Sequence, residues 1–168
     1  MTARIKELLQ SSSSSGAATD NNHWRILDIA TGTADVAIQL IDDLTSSSSV
    51  TVLGLDPSEN MLSVGRTKIA DRDLEDKIVL ERADARDLSK YYNTRGGTNE
   101  AELFDAATVS FGIRNVVPNR EKALCEIHKL LKPKTGVLAI LEFSQPTYGE
   151  HGVMGAAAGL FIEKVIPV

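Results

Sequence analysis

The stretch Asp28-Ile29-Ala30-Thr31-Gly32-Thr33-Ala34-Asp35 joins an apolar run to a segment of helical periodicity, and it combines two carboxylates with one glycine. A glycine there lets the backbone pass close to a small ligand. A dinucleotide loop needs several glycines so that N–H groups can reach a pyrophosphate. This loop has one, and Asp28 and Asp35 would repel phosphate charge, which disfavours NAD and ATP. A nucleoside that carries positive charge reverses the sign. S-adenosylmethionine bears a sulfonium and an ammonium and no phosphate, and Asp28 is expected to attract or orient the ammonium. Alone, the same spacing also fits an acidic strand end that caps the next helix.

Further polar residues follow at the ends of later apolar runs. Asp56 closes TVLGL and is suited to accept both hydroxyls of a ribose. By itself it also reads as a helix cap ahead of Pro57 and Ser58. Asp84, in Arg82-Ala83-Asp84-Ala85, can receive an adenine amino group, or cap a turn. Thr108-Val109-Ser110-Phe111-Gly112 ends a fourth run. Four polar run ends in order, each with a fitting role, support a nucleoside site more strongly than any one of them.

The elements that must carry these residues alternate. Strands are predicted at Arg25 to Ile29, Thr51 to Leu55, Ile78 to Leu80, Phe104 to Ser110 and Val137 to Phe143, the last apolar enough for burial on both faces. Helices are predicted from Ala34 to Leu44, after Pro57-Ser58 with Met61, Leu62, Val64 and Ile69 as its apolar set, and from Arg120 to Leu131 with Ala123, Leu124, Ile127, Leu130 and Leu131 on one face. Strand–helix alternation implies right-handed crossovers and a doubly wound, mainly parallel α/β sheet, with ligands beyond the carboxyl ends of the strands. Serine tracts at 11–15 and 46–49 and the Gly-pair stretch Tyr91 to Glu102 read as surface loops. Residues 1–22 are expected to be a flexible serine-rich leader and residues 23–168 the ligand-binding domain.

Composition bounds the rest. The 168 residues suit one domain, and 18 basic against 23 acidic side chains leave a net charge of −5, so no nucleic-acid partner is expected. Hydrophobic residues make up 42%, as in an ordinary globular protein. One cysteine, Cys125, excludes an internal disulfide, and His23, His128 and His151 lack metal-ligand spacing, so no metal is expected. The apolar tail from His151 to Val168 reads as core packing, or as a wall for a lipid chain or a face for a partner or membrane surface.

ILDIATGTADVA resembles the first motif of class I methyltransferases, and GLDPSENML, TVSFGIRNV, LKPKTGVLAILEFSQPT and VIPV resemble the ubiquinone/menaquinone-biosynthesis C-methyltransferase family. The likeness runs from about Ile26 to Val168. Ala34 stands where that family usually has a third glycine, and Lys132-Pro133-Lys134-Thr135-Gly136 replaces its usual turn. The resemblance implies methyl transfer from S-adenosylmethionine to a ring carbon of a polyprenylated quinol, either benzoquinol or demethylmenaquinol. It implies cofactor contacts at Thr33, Asp56, Asp84 with Ala85, and Ser110, beside Asp28 and Gly32 above. In this mechanism Arg114 stabilises the developing phenolate and Asn115 orients the quinol. The resemblance further implies two closing strands that this length does not hold, so the domain is expected to be C-terminally incomplete. A non-catalytic scaffold subunit of a quinone-biosynthesis complex, or a methyltransferase with another small-molecule acceptor, remains open. The serine-tract expansions point to a eukaryotic source and to the matrix side of the mitochondrial inner membrane, with peripheral contact, and plastid or cytoplasm as alternatives.

Overall fold

Strands and helices alternate along the chain in a computed structural model that describes residues 5–9, 23–45, 49–93 and 103–142. β1 (His23–Ile29) leads into α1 (Asp35–Leu44), and β2 (Ser49–Asp56) into α2 (Glu59–Ala70). β3 (Ile78–Arg82) is followed by a short α3 (Ser89–Asn93). β4 (Ala106–Ser110) runs through a 3-10 turn (Ile113–Asn115) to α4 (Arg120–Leu130), and then comes β5 (Val137–Leu141). The sheet order is β3-β2-β1-β4-β5, and every pairing is parallel. This is the doubly wound α/β sheet that the alternation predicts.

Alternating residues divide the core into two layers. Trp24 and Ile26 of β1, with Val50 and Val52 of β2, pack against α1 and α2 on one face. Leu27 and Ile29, with Ala107 and Val109 of β4, pack against Ile127 and Leu130 of α4 on the other. α1 buries Ala37, Ile38, Leu40, Ile41 and Leu44, the spacing of one helical face. α2 is capped by Ser58, whose hydroxyl accepts the Met61 N–H, and carries Glu59 in its first turn and Lys68 in its last.

Several expectations are corrected. In α2 the buried stripe is Leu62, Gly65 and Ile69, while Met61 and Val64 lie 43% and 49% exposed. The sheet meets that helix along a narrow seam, and the neighbouring apolar positions fall outside it. β5 is not buried on both faces: Leu138, Ile140 and Leu141 are 37%, 45% and 41% exposed, because among the described residues only β4 pairs with it. The fourth strand begins at Ala106, and Phe104 makes an isolated parallel bridge to Leu131. Tyr91 and Tyr92, read as loop, belong to α3 and pack against the second layer. Leu124 of α4 and Leu131 just beyond it are half-buried, and Glu126 takes a place on the buried face of the helix. Apart from these differences, residues 5–9 form a short helix that buries Ile5 and Leu9 in the first layer. The first serine tract, residues 46–48 of the second, residues 94–102 and the tail from His151 onward lie outside the described residues.

Candidate functional site

The order of the sheet reverses beside β1. β2 and β3 lie to one side of it and β4 and β5 to the other, so the chain leaves the ends of β1 and β4 in opposite directions. A cleft of about 260 Å³ opens there, and Asp56, Asp84, Ala85, Arg86, Gly112 and Asn115 line it. A second cleft of about 300 Å³, lined by Arg25, Lys77, Tyr91 and Phe104 among others, carries none of the predicted site residues.

Asp56, at the end of β2, is buried and oriented by two backbone donors. Gly32 N–H donates to Oδ2 at 2.9 Å, and Ser58 N–H donates to Oδ1 at 2.8 Å. The same strand end takes the neighbouring loops in hand, since Thr31 N–H donates to the Leu55 carbonyl and Ala83 N–H to the Asp56 carbonyl, both at 3.1 Å. Gly32 has φ +56°, a conformation that disfavours any residue with a Cβ. Ala34 adopts φ +64° as the cap of α1, so an alanine bears left-handed backbone at the position where the family it resembles usually carries glycine.

Asp28 points inward. It is 1% exposed, with Oδ1 accepting the Thr108 hydroxyl at 2.5 Å and Oδ2 accepting the Thr31 hydroxyl at 2.7 Å. The register that sets Asp28 opposite Gly54 on one side and Thr108 on the other makes this possible. Burial is the largest influence on its carboxyl and pushes the pKa up to about 6 against the two hydroxyl bonds, with the Asp56 charge adding to the rise. Asp35 is exposed and lies 2.8 Å from Lys68 Nζ, which also donates to the Thr33 hydroxyl at 2.9 Å. Of the four acids that the sequence singles out at strand and loop ends, only two give the cleft its acidic character. Asp28 is buried and Asp35 is paired, whereas Asp56 and Asp84 are the carboxylates that line the cleft.

Asp84 is held by its neighbour two residues on. Arg86 Nε reaches Oδ1 at 2.9 Å and Oδ2 at 3.1 Å, Arg86 NH2 reaches Oδ2 at 2.5 Å, and Arg86 N–H donates to Oδ1 at 2.9 Å. These bonds hold the Asp84 carboxyl down at about 2. Ser110 closes β4, half-buried, opposite Leu141. Arg114 is exposed. Its N–H donates to Glu142 Oε2 at 3.3 Å, its guanidinium lies 3.5 Å from Glu142 Oε1, and its carbonyl accepts from Arg120 at 3.1 Å. Asn115, next to it, lines the cleft. The structure thus gathers Asp56, Asp84, Ala85 and Asn115 around one cleft and joins Gly32 to it by a hydrogen bond. Thr33, Ser110 and Arg114 stand outside its lining.

Sequence reading missed Arg86, and it named Ala30 and Gly112 only as members of their loops, with no role of their own. A Cβ on Gly112 would overlap the Ala30 methyl, so the loops after β4 and β1 touch at this glycine. The same reading named Thr31 and Thr108 within those stretches but not as the donors to Asp28; for Thr108 a hydroxyl in an otherwise apolar strand is the available signal. Glu126 is a further omission: buried, it accepts Leu88 N–H at 3.0 Å, the Tyr92 hydroxyl at 2.9 Å and Lys129 Nζ at 2.7 Å. Burial alone would raise its pKa, and these three donors together lower it. A charged residue on the apolar face of a helix marks such a site.

The sequence profile of the ubiE/COQ5 methyltransferase family matches residues 4–168. The chain is 41% identical over 127 residues to the ubiquinone/menaquinone biosynthesis C-methyltransferase UbiE of Geobacter sp. (strain M21), covering 76% of this chain and 48% of that protein. It is 40% identical over 122 residues to the UbiE of Agrobacterium fabrum, covering 73% and 42%. The chain spans about half the length of these curated relatives. Among solved structures, the [4+2]-cyclase SpnF is similar with a TM-score of 0.61 at 19% identity, covering 86% of this chain and 47% of that one. An S-adenosylmethionine-dependent methyltransferase from Clostridium acetobutylicum gives 0.53 at 19% identity, covering 82% and 49%. Likenesses at this identity establish the fold alone.

Proposed function

The chain belongs to the ubiE/COQ5 methyltransferase family, and from that premise we propose that it uses S-adenosylmethionine to methylate a ring carbon of a polyprenylated quinol in ubiquinone or menaquinone biosynthesis. The observation that carries this reading is the cleft itself. Among the described residues two carboxylates, Asp56 and Asp84, line it together with one cation, Arg86, that is already paired with Asp84. Among the described residues no lysine lines the cleft, so it favours a cationic, phosphate-free nucleoside.

When bound, S-adenosylmethionine supplies an electrophilic methyl group to a ring made electron-rich by an ionised hydroxyl. The residues bind and orient. Asp56, fixed by Gly32 and Ser58, accepts the ribose hydroxyls. Asp84 and Ala85 face the adenine edge, and the loop from Asp28 to Thr33, with Ser110, takes the methionine end. Arg114 holds the developing phenolate charge, directly or through a water, and Asn115 orients the ring. An acceptor with an isoprenoid tail resides in a lipid phase, so the reading includes work at a membrane surface. Among the described residues no helix is long and apolar enough to cross one.

Calorimetric titration of the folded chain with S-adenosylmethionine tests the donor half of the proposal, and turnover of demethylated benzoquinol against naphthoquinol tests the acceptor half. A folded chain that binds no donor favours a scaffold role. Binding without turnover of either quinol favours another acceptor.

A further inference from the structure

A carboxylate offers about four acceptor positions, and in Asp84 three N–H groups of Arg86 engage both oxygens. Nε is shared between Oδ1 and Oδ2, NH2 sits on Oδ2, and the backbone N–H sits on Oδ1. Both side chains are accessible from solvent, with the Asp84 side chain 44% and the Arg86 side chain 39% exposed, and both line the cleft at the carboxyl ends of the strands. The other cleft carboxylate is different. Asp56 receives one backbone N–H on each oxygen and keeps a lone pair on each for a ligand. Of the two acids, one is ready to accept and the other is occupied by a side chain of its own loop.

We propose that Arg86 is a specificity-determining residue of the nucleoside site: it occupies the Asp84 oxygens on which an exocyclic amino group docks, so that binding an aminopurine exchanges one donor for another. The inference rests on the proposed donor binding and deepens it. A base with an amino group displaces the guanidinium. A base with a carbonyl at that position has no exocyclic proton to offer Asp84, leaves the Arg86 pair closed, and binds without that contact. The guanidinium is tethered two residues away and is already solvated, so its release leaves no buried charge behind. An exposed pair of this kind contributes little, and the effect on affinity is correspondingly modest.

The test is calorimetric titration of the full chain and its Arg86→Ala variant with two neutral probes, S-adenosylhomocysteine and S-inosylhomocysteine, which differ at the exocyclic group. Arg86→Ala is expected to bind the adenosyl probe about threefold more tightly, by analogy with the strength of exposed ion pairs, and to leave the inosyl affinity unchanged. An Asp84→Ala chain, which has no side-chain acceptor there, is expected to lose the difference between the probes. Equal shifts for both probes in Arg86→Ala, or weaker adenosyl binding, would overturn the proposal and make Arg86 a structural or stacking residue. If neither probe binds the wild-type chain or either variant while all three are folded by circular dichroism, the donor-binding reading itself fails, and the proposal with it.

Discussion

Gly32 donates its N–H to Asp56 Oδ2 at 2.9 Å, so the loop that leaves β1 is pinned to the end of β2 by a carboxylate that also lines the cleft. One side chain thereby shapes the loop and presents its remaining lone pairs to a ligand. Structure and proposed binding are coupled at this residue.

Replacing Asp56 with alanine should damage both. Losing a charge-assisted hydrogen bond of roughly 2 kcal/mol predicts about 30-fold weaker binding of S-adenosylhomocysteine by calorimetry. The stranded N–H groups of Gly32 and Ser58 predict a further loss of roughly 1–3 kcal/mol in stability by urea denaturation. A variant that binds like the wild type would remove Asp56 from the site.

Asp28 makes stability depend on pH. Its folded pKa of about 6 lies above the ordinary value of 3.8, so the native chain holds the proton more tightly than the unfolded chain. The stability it contributes is complete below about pH 4 and is lost as pH rises through 6. The full span is on the order of 3 kcal/mol. In urea titrations, Asp28→Asn should therefore gain on the wild type by about that amount between pH 4 and pH 7. Parallel pH profiles for the two proteins would refute this.

Gly112 and Ala30 make a reciprocal prediction. Gly112→Ala forces its new methyl into that of Ala30 and should lower stability by roughly 1–3 kcal/mol. Ala30 itself sits at φ +55°, so Ala30→Gly removes the obstructing methyl and relieves left-handed strain. The double variant should recover most of the loss in thermal melts. Additive losses would show that the two loops do not meet as described.

Arg114→Ala tests the chemical half of the proposal. Loss of a donor to a developing oxyanion lowers kcat by about 100-fold or more, while calorimetric affinity for S-adenosylmethionine stays unchanged. Undiminished turnover of a demethylated quinol would sink the assignment.

Much of this was legible along the chain. Apolar runs in period two and stripes in period 3.6 are local patterns, and they place all five strands to within a few residues and identify α1, α2 and α4. Asp56 and Asp84 were found because acids at the carboxyl ends of strands stand out against apolar neighbours. Other readings failed where burial depends on what lies across space. Val137–Leu141 is apolar enough for a central strand, yet it is an edge among the described strands. Met61 and Val64 match helical spacing, yet the sheet meets α2 only along Leu62, Gly65 and Ile69.

The sequence by itself determined the alternation of elements, the parallel α/β class and the end of the sheet at which polar residues collect. Those follow from backbone periodicity and from the handedness of crossovers, which act over short stretches of chain. Only the tertiary structure decided which acids face a ligand. The Thr108 hydroxyl that turns Asp28 inward lies 80 residues away along the chain. The Arg86 that covers Asp84 is near in sequence, but its contact depends on rotamers within a folded loop. A carboxylate's role is set by the donors around it, and those donors are assembled by strand register.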